Sequence, residues 1–406
     1  MTQTHERRNV LLGISGSIAA YKAAELARLL VTRGYQVKVV MTKSALQFIT
    51  PLTMEALTGN RVITDFWEGA SVGGMDHLDI SGWADVMLIA PATANVIAKL
   101  AAGLADDSLT AMALATHAPI LVAPAMNVNM LQHPKTQENI ATLKARGLRV
   151  IDSEEGLLAC GVHGAGRLAN PWEIYHEVRR ATSTQDLKGK RVLISTGPTR
   201  ESIDPVRFIS NRSSGKMGVA LAREAFRRGA QVTLVHGPVA TKVPRVIECV
   251  PVMTAADMYK AIHDRAFSEK DPVDIVVMAA AVADFRVTNF SAAKLKRGRG
   301  LPELKLEFNS DILMELGNRR QGQSRPVLVG FSVEAGEEIQ DLVDEARRKL
   351  QDKKVDLIVG NFAQDAFDLD TNRVWLVERG GKQSEVSTSF KSRVASKIFD
   401  SVVKLL

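Results

Sequence analysis

Short apolar runs recur along this 406-residue chain, and each is followed by a segment with the periodicity of a helix. In the first half the runs are Val10–Ile14, Gln36–Met41, Asp85–Ala90 and Ile120–Ala123, with a helix from about Ile18. Continuous apolar strands that alternate with helices are typical of a parallel sheet covered on both faces. The pattern predicts a doubly wound α/β fold, in which ligands bind beyond the carboxyl ends of the strands.

The same alternation begins a second time after the short polar stretch 181–190. A fresh strand is predicted at Arg191–Thr196, and a hairpin near Trp375 precedes a terminal helix. Further strands are predicted at Gln231–Val235, Asp274–Ala280, Val327–Phe331 and Asp356–Val359. A chain of this length accommodates two or three domains of about 150 residues. We therefore predict two tandem doubly wound domains, one over residues 1–188 and the other over residues 189–406.

The amino-acid composition excludes several classes of protein. Hydrophobic residues make up 46% of the chain and charged residues 24%, which is typical of a globular protein. With two cysteines and no apolar segment in the first ten residues, we expect no disulfide framework, no signal peptide and a cytoplasmic location. The apolar stretch 86–105 contains Pro91, Asn95 and Lys99, which favours a buried strand and helix over a membrane span. The net charge of +7 suits anionic ligands, whereas 5% aromatic residues and no basic stripe argue against nucleic acid.

The loop after the first predicted strand, Gly13–Lys22 (GISGSIAAYK), combines glycines and serines at the start of a helix. The amides and partial positive charge of a helix N-terminus favour a phosphate. The segment lacks the Walker A pattern, and Ser17 replaces the final glycine of a G-x-S-x-G elbow. Polar loops also follow later strands at Thr42–Ser44 and Ala90–Asn95. Three such loops at one sheet edge indicate a mononucleotide with a planar ring, although the first loop alone is equally compatible with a helix cap.

Three further residues of the first half are candidates for chemistry: His77, Asn127 and Cys160. A lone histidine or asparagine is more often structural, and a lone cysteine more often serves as a small hydrophobe. Cys160 differs because glycines are frequent in 161–166, which indicates a mobile loop on which a thiol can act as an acid or nucleophile. Cys249 lies in a strand-like run and is assigned a structural role.

In the second half, the segment Asn211–Gly218 (NRSSGKMG) precedes an alanine-rich helix. Its amides and basic side chains form a candidate anion site, with a solvated basic cap as the alternative. The strand that begins at Asp274 is followed by Asp284, whose carboxylate can hold a ribose, an amino group or a metal-bridged phosphate, or can simply cap a helix. Lys294 and Lys296 lie on one face of an extended segment, where a solvated surface is the more common arrangement.

Taken together, these motifs resemble the family of bifunctional coenzyme A biosynthesis proteins, in which phosphopantothenoylcysteine decarboxylase is fused to phosphopantothenate–cysteine ligase. The first half is similar to the flavodoxin-like, flavin-containing cysteine decarboxylases through GSIAAYK, a histidine before WAD, PAMN and ACG. The second half is similar to the ligase, which has a Rossmann-like fold, through TGPTRE, IDPVRFISNRSSGKMG, AAAVADF, KLK and GFSVE. One departure is Leu131, where the decarboxylases commonly have tryptophan after PAMNxxM.

For the first half, the resemblance implies that the cysteinyl thiol of the substrate is oxidised toward a thioaldehyde by FMN, after which the adjacent carboxylate leaves as carbon dioxide. His77 would act in the oxidative steps as a base, Asn127 would hold the substrate carboxylate, and Cys160 would donate a proton in the reductive step. A thiol with a reference pKa of about 8.5 is mostly protonated at neutral pH, which suits that role. The implied FMN-binding residues are Gly16, Ser17, Ile18, Thr42, Ser44, Thr93, Asn95 and Ala125.

For the second half, the resemblance implies CTP and Mg²⁺. The carboxylate of 4′-phosphopantothenate would attack the α-phosphate of CTP, and cysteine would then displace CMP from the acyl-cytidylate to give 4′-phosphopantothenoylcysteine. Asn211 would orient the acyl intermediate, Arg207 would bind an anionic group, and Lys294 would act in catalysis and nucleotide binding. The implied nucleotide contacts are Met278, Ala279, Ala280, Asp284, Lys294, Ser310, Asp311, Ile312, Leu313, Phe331, Lys349 and Lys353.

The family also implies a homo-oligomer with a trimeric decarboxylase unit and a dimeric ligase unit, consistent with a dodecamer. Two alternatives stay open on the residues alone. A flavin-binding regulatory protein predicts loss of His77 or Cys160, and both are present. A nicotinamide-dependent oxidoreductase predicts G-x-G-x-x-G followed by an acidic residue at the end of the next strand, and the loop GISGSI lacks that pattern.

Overall fold

The chain divides into two compact units, Met1–Ser183 and Thr184–Leu406. The computed structural model describes residues 8–65, 76–159, 161–296, 303–320, 322–336, 338–367 and 369–406, with the backbone alone at 76–78. Within this described part, no helix is long and apolar enough to cross a membrane. The apolar stretch 86–105 instead forms a strand and a helix, as predicted.

The first unit alternates strands and helices from its start. Its strands are β1 Asn9–Ile14, β2 Gln36–Met41, β3 Val62–Ile63, β4 Val86–Ala92, β5 Ile120–Pro124, β6 Arg149–Val150, β7 Glu154–Leu157 and β8 His163–Arg167. Its helices are α1 Ala20–Thr32, α2 Pro51–Thr58, α3 Asp76–Trp83, α4 Ala94–Ala102, α5 Ser108–Ala115, α6 Val128–Gln132, α7 Pro134–Ala145 and α8 Pro171–Ala181.

Six parallel strands form the central sheet of this unit, in the order β3-β2-β1-β4-β5-β6. Successive side chains of β1 face opposite sides of the sheet. Leu12 packs in a cluster with Leu26 of α1 and Ile174 of α8, whereas Leu11 packs in a cluster with Leu109 of α5. Helices therefore cover both faces, and the predicted doubly wound domain is confirmed.

From β1, the chain adds β2 and β3 on one side of the sheet and β4 to β6 on the other, so the strand order reverses between β1 and β4. This reversal opens a crevice beyond the carboxyl ends of these two strands. Without the two-residue edge strand β3, the order is 2-1-4-5-6, which corresponds to the flavodoxin order 2-1-3-4-5 when the strands are renumbered. The predicted flavodoxin-like first domain is therefore confirmed in its layers and in the order of its main strands, with β3 as an added edge strand.

Residues 163–166 of the glycine-rich segment belong to strand β8, so the expectation of a loop was wrong there, whereas Gly161 precedes the strand. β7 and β8 pair antiparallel, with Gly156 opposite Gly164. A Cβ atom at Gly166 would lie 2.2 Å from the carbonyl oxygen of Met126. Gly166 therefore allows the backbone of β8 to approach the backbone that follows β5 closely.

The second unit repeats the alternation with more strands. Its strands are β9 Arg191–Thr196, β10 Arg200–Ser202, β11 Phe208–Ser210, β12 Gln231–His236, β13 Glu248–Pro251, β14 Ile275–Met278, β15 Phe285–Val287, β16 Leu306–Phe308, β17 Val327–Glu334, β18 Leu357–Phe362, β19 Thr371–Glu378 and β20 Gln383–Phe390. Its helices are α9 Lys216–Arg227, α10 Ala255–Ala266, α11 Ile312–Arg320, α12 Ile339–Asp352, α13 Ala363–Ala366 and α14 Lys391–Val402.

Its main sheet has the order β13-β12-β9-β14-β17-β18-β19-β20. The first six strands are parallel, and the predicted hairpin β19–β20 continues the sheet antiparallel. Ile194 of β9 packs in a cluster with Phe226 of α9 and Phe399 of α14, whereas Leu193 packs in a cluster with Met258 of α10. The second doubly wound domain is therefore also confirmed, with its strand ends at the reversal between β9 and β14.

Candidate active sites of the two units

In the first unit, a cavity of 460 Å³ lies beyond the ends of β1, β2 and β4. It brings together five of the eight predicted flavin contacts, which belong to three different loops: Gly16, Thr42, Ser44, Thr93 and Asn95. Lys43, Asp65, Lys99 and the segment 106–108 complete much of its wall. The strand-end loops thus converge as the sequence predicted.

Ser15, which the sequence interpretation overlooked, ties two of these loops together. Its hydroxyl group donates a hydrogen bond to the carbonyl oxygen of Pro91 at 2.7 Å and accepts one from the amide of Thr93 at 3.0 Å. Ser15 is almost fully buried. A hydroxyl residue directly after an apolar strand, ahead of Gly16, is the sequence signal that could have revealed it.

The loop after β1 approaches the loop after β2 closely at Gly16. A Cβ atom at this position would lie 2.4 Å from Cβ of Ser44 and 2.9 Å from its carbonyl carbon. Distances below 3.0 Å exclude a side chain unless the backbone moves, so only glycine fits between these two loops. Gly16 therefore fixes the width of the cavity at this point.

The charged side chains of this cavity are paired with each other. Lys43 lies 3.7 Å from Asp65, and the ammonium group of Lys99 lies 2.7 Å from Asp106 and 3.0 Å from Asp107. The hydrogen bond to Asp106 is the main cause that raises the pKa of Lys99. Burial alone would raise the pKa of Asp107, but hydrogen bonds from Thr110 and Lys99 bring it below its ordinary value. The pair of Lys99 and Asp107 therefore stays charged near neutral pH.

A second cavity, of 470 Å³, is lined by the later part of the loop that follows β1 and by the start of α1. The remaining predicted flavin contacts Ser17, Ile18 and Ala125 line it, together with Asn127. The β7–β8 hairpin forms the other wall, and its lining residues are Leu157, Leu158, Ala159 and 166–168. The eight predicted flavin contacts therefore line two cavities that share one loop.

Asn127 caps helix α6, since its side-chain oxygen accepts a hydrogen bond from the amide of Asn129 at 2.8 Å. The other group of this carboxamide is a nitrogen, the donor that a carboxylate requires. Leu131 packs with Met126 against the core cluster on the α5 side of the sheet. Cys160 and the side chain of His77 lie outside the described residues, although Ala159 lines the cavity and the backbone of His77 lies in α3.

In the second unit, hydroxyl side chains join the ends of β9 and β14. The hydroxyl of Ser195 accepts a hydrogen bond from the amide of Ala280 at 3.2 Å, and that of Thr199 accepts one from the amide of Ala283 at 2.9 Å. Both hydroxyl residues are fully buried and were missed by the sequence interpretation. They hold the predicted nucleotide contacts Met278, Ala279 and Ala280 at the point where the strand order reverses.

The start of α9 lies against the same strand ends. Gly215 adopts a left-handed conformation with φ of +72°, and its carbonyl accepts a hydrogen bond from Thr196 at 2.9 Å. A Cβ atom at Gly218 would lie 2.2 Å from the hydroxyl oxygen of Thr196. The two glycines therefore allow the candidate anion loop to lie directly on β9. Asn211, just before this loop, donates to the carbonyl oxygen of Val282 at 2.9 Å.

Arg207 makes contacts within the protein itself. Its guanidinium group pairs with Asp204 at 2.5 Å and donates to the carbonyl oxygen of Leu295 at 2.8 Å. The Arg207 guanidinium holds the pKa of the Asp204 carboxyl well below its usual range. This link brings the segment 293–296, with its exposed Lys294, to the turn after β10.

The other predicted nucleotide contacts lie at the start of α11 and along α12. Asp311 caps α11 through the amide of Met314 and lies 2.7 Å from the ammonium group of Lys353. Lys349 instead donates to Ser332 at 2.8 Å and lies 3.0 Å from Glu334. The two lysines thus contact different elements, α11 and the end of β17.

Further predicted contacts extend this edge of the second unit. Leu313 packs on Gly330, whose hypothetical Cβ would lie 2.4 Å from Cδ2 of Leu313, and Phe331 follows in β17. Asp284 is exposed, and its carbonyl accepts a hydrogen bond from the amide of Asn309, next to Ser310. These links place the loop after β14 beside the start of α11, where an anionic ligand would meet the amides of that helix.

Two family models match the chain, one over each unit. The model described as "Flavoprotein" matches residues 1–183, and the model described as "DNA/pantothenate metabolism flavoprotein C-terminal domain" matches residues 187–406.

Curated relatives match nearly the whole chain. The coenzyme A biosynthesis bifunctional protein of Bacillus subtilis is 44% identical over 98% of this chain and 97% of its own length. The protein of the same name from Vibrio parahaemolyticus is 42% identical over 96% of this chain and 98% of its own length. A solved structure, the C-terminal domain of a coenzyme A biosynthesis bifunctional protein, is 36% identical over 55% of this chain and 98% of that chain, with a TM-score of 0.45.

Proposed function

The chain belongs to the family of bifunctional coenzyme A biosynthesis proteins, and from this premise we propose which reaction each of its two units catalyses. Residues 189–406 join 4′-phosphopantothenate to cysteine with CTP, and residues 1–188 decarboxylate the product to 4′-phosphopantetheine with FMN. The match of residues 1–183 to a flavoprotein family favours flavin over a nicotinamide cofactor.

The observation that carries the flavin assignment is the pair of cavities around the loop that follows β1. Their walls include hydroxyl groups of Ser17, Thr42, Ser44 and Thr93, which can hydrogen-bond a phosphate or a polyol. Gly16 lets the loops after β1 and β2 lie in close contact at the wall of the first cavity. FMN, when bound, supplies a reversible two-electron oxidation, so the reaction needs no external electron acceptor.

We propose that the substrate lies in the cavity between Ile18, Asn127 and the β7–β8 hairpin. Asn127, oriented by its cap to α6, donates a hydrogen bond to the carboxylate that leaves as carbon dioxide. His77 acts as a base in the oxidative steps. Cys160, which follows the cavity-lining Ala159 in the chain, returns a proton in the reductive step.

In the second unit, we propose that CTP binds along the edge formed by the ends of β9 and β14 and the start of α11. The amides at the starts of α9 and α11 favour phosphate groups. Lys294, which is exposed, stabilises the charge that builds on the α-phosphate as the 4′-phosphopantothenate carboxylate attacks it. Arg207 acts through its pairing with Asp204, which positions the lysine-bearing segment.

We propose that magnesium binds together with CTP and is not held by the protein when CTP is absent. The described residues contain no group of three or more His, Cys, Asp or Glu side chains that could hold a metal ion. Mg²⁺ is commonly held by substrate phosphates, water and one or two carboxylates. The carboxylate of Asp284 is exposed, which suits a metal ion that arrives with the CTP phosphates better than it suits a closed protein site.

A homo-oligomer, trimeric through the first unit and dimeric through the second, is also proposed. Large apolar side chains border the second cavity and are exposed to solvent: Ile18 is 61% exposed, Tyr21 56% and Leu157 66%. Another subunit would remove this apolar area from water. Sedimentation of the whole protein at a single-chain mass would contradict the proposal. The small number of cysteines supports the proposed cytoplasmic location.

The decarboxylase assignment is tested with 4′-phosphopantothenoylcysteine and the Cys160→Ala variant. We expect carbon dioxide release to continue for one turnover and the enethiol to accumulate, because the proton donor is absent. Cys249→Ala is the matched control, since Cys249 is exposed on β13 of the other unit. Undiminished 4′-phosphopantetheine output from Cys160→Ala would remove Cys160 from the mechanism.

A further inference from the structure

Ser108, the first residue of α5, lines the same cavity as Gly16, Thr42, Ser44 and Thr93. It is only 3% exposed. Its hydroxyl oxygen is buried and has no hydrogen-bond partner among the described residues. A buried hydroxyl without a partner is destabilising, so its presence on the wall of a ligand cavity points to a partner that arrives with the ligand.

The start of α5 is held in place independently of any ligand. Asp107 caps the helix through the amide and hydroxyl of Thr110, at 2.9 Å each. Leu109 packs over β1, where a Cβ atom at Gly13 would lie 3.0 Å from its Cδ1. Ser108, between these two anchored residues, is therefore fixed at the reversal between β1 and β4.

The charges around Ser108 indicate which part of a ligand it meets. The described side chains of this cavity carry three carboxylates, on Asp65, Asp106 and Asp107, against two ammonium groups, on Lys43 and Lys99. Both ammonium groups are already paired with these carboxylates. A phosphate next to Ser108 would meet net negative charge, whereas an uncharged hydroxyl group can donate to the carboxylates and exchange a hydrogen bond with Ser108.

We propose that Ser108 binds a hydroxyl group of the ribityl chain of the flavin. The proposal rests on the flavin assignment of the first unit and adds a binding residue and a specificity for the sugar chain. The ribityl hydroxyl supplies the partner that the Ser108 hydroxyl lacks, and the phosphate binds elsewhere along the strand-end loops.

The test uses the full-length, flavin-free protein and three flavins: FMN, riboflavin, which lacks the phosphate, and lumiflavin, which lacks the whole ribityl chain. Quenching of flavin fluorescence gives the dissociation constant of each. One net hydrogen bond corresponds to an affinity change of about 2- to 12-fold. Ser108→Ala should therefore weaken FMN and riboflavin binding by the same factor, about 2- to 12-fold, and leave lumiflavin binding unchanged.

A second readout separates a ligand contact from a structural role. Ser108→Ala removes an unpaired hydroxyl, so the flavin-free variant should melt at the same temperature as the wild type or higher, while the rise in melting temperature on adding FMN should shrink. Thr116→Val is the control. Its hydroxyl donates to the carbonyl oxygen of Ser81 at 3.0 Å at the other end of α5, away from the cavity, so its flavin affinities should equal those of the wild type.

Other outcomes have distinct meanings. Equal affinities of wild type and Ser108→Ala for all three flavins would overturn the proposal. A loss confined to FMN would also overturn it, because the contact would then be to the phosphate. A wild-type protein that binds none of the three flavins would refute the flavin assignment itself, and this proposal with it.

Discussion

Replacing Gly16 with alanine tests whether the contact between two strand-end loops sets the flavin site. The added Cβ atom would lie 2.4 Å from Cβ of Ser44, whereas an ordinary contact is at least 3.4 Å. The loops must therefore separate by about 1 Å, and the carbonyl carbon of Ser44, at 2.9 Å, prevents relief by a side-chain rotation alone. Overpacking of this kind costs about 1–3 kcal/mol.

If the flavin is bound only when the loops are in contact, this strain appears as weaker binding. We expect the FMN dissociation constant to rise by about 5- to 150-fold, which corresponds to about 1–3 kcal/mol. The assay titrates flavin-free protein with FMN and follows the quenching of flavin fluorescence, with circular dichroism to show that the fold is retained.

Gly82→Ala is the matched control, because a Cβ at this exposed position would meet nothing within 4 Å apart from its chain neighbours and the backbone of its own helix, α3. It should leave FMN affinity unchanged and keep or slightly raise the stability of the protein. Gly16→Ala with wild-type affinity and wild-type stability would refute the argument that this contact defines the site.

Three further predictions concern the second unit. Arg320→Met should lower its free energy of unfolding by about 3 kcal/mol, because the buried guanidinium bonds Pro326, Lys354 and the Asp356 carboxylate. Hydrogen exchange of its peptides measures this loss, and a change below about 1 kcal/mol would contradict it. Burial lowers the pKa of His263 below its ordinary value of 6.5. The unfolded chain therefore binds the proton more readily, so stability should fall as pH decreases below 6.5. His263→Phe should reduce this dependence in urea titrations, and an unchanged dependence would remove His263 as its source. Lys294→Ala should suppress CMP formation without changing the melting temperature, whereas full CMP formation would exclude Lys294 from catalysis.

The sequence predicted the parts of the fold that rest on repeated apolar strands. β2 and β9 have the predicted bounds, and β1 differs from its predicted bounds by one residue. The short pairs β7–β8, β10–β11 and β15–β16 were not predicted. Their strands have only three to five residues, which is too short to show an apolar alternation in the sequence.

The candidate sites were predictable where a motif coincides with a strand end. Gly16 and Thr93 lie together because both follow parallel strands of one sheet. Ser15 and Ser195 were missed because each lies near the carboxyl end of an apolar strand, and their roles depend on a neighbouring strand far away in the sequence. The pairing of Arg207 with Asp204 could not be foreseen either, because a guanidinium group near an anion loop serves equally well as a ligand contact or as a structural ion pair.

The central claim is that one chain makes an amide in its second unit and removes the carboxyl group of that amide in its first. The most direct measurement incubates the purified protein with 4′-phosphopantothenate, cysteine labelled with ¹³C in its carboxyl group, CTP and Mg²⁺. We predict that CMP, pyrophosphate, labelled carbon dioxide and 4′-phosphopantetheine form in equal amounts. CMP that forms without labelled carbon dioxide would contradict the account, because the flavin unit would then be inactive toward the product of the ligase.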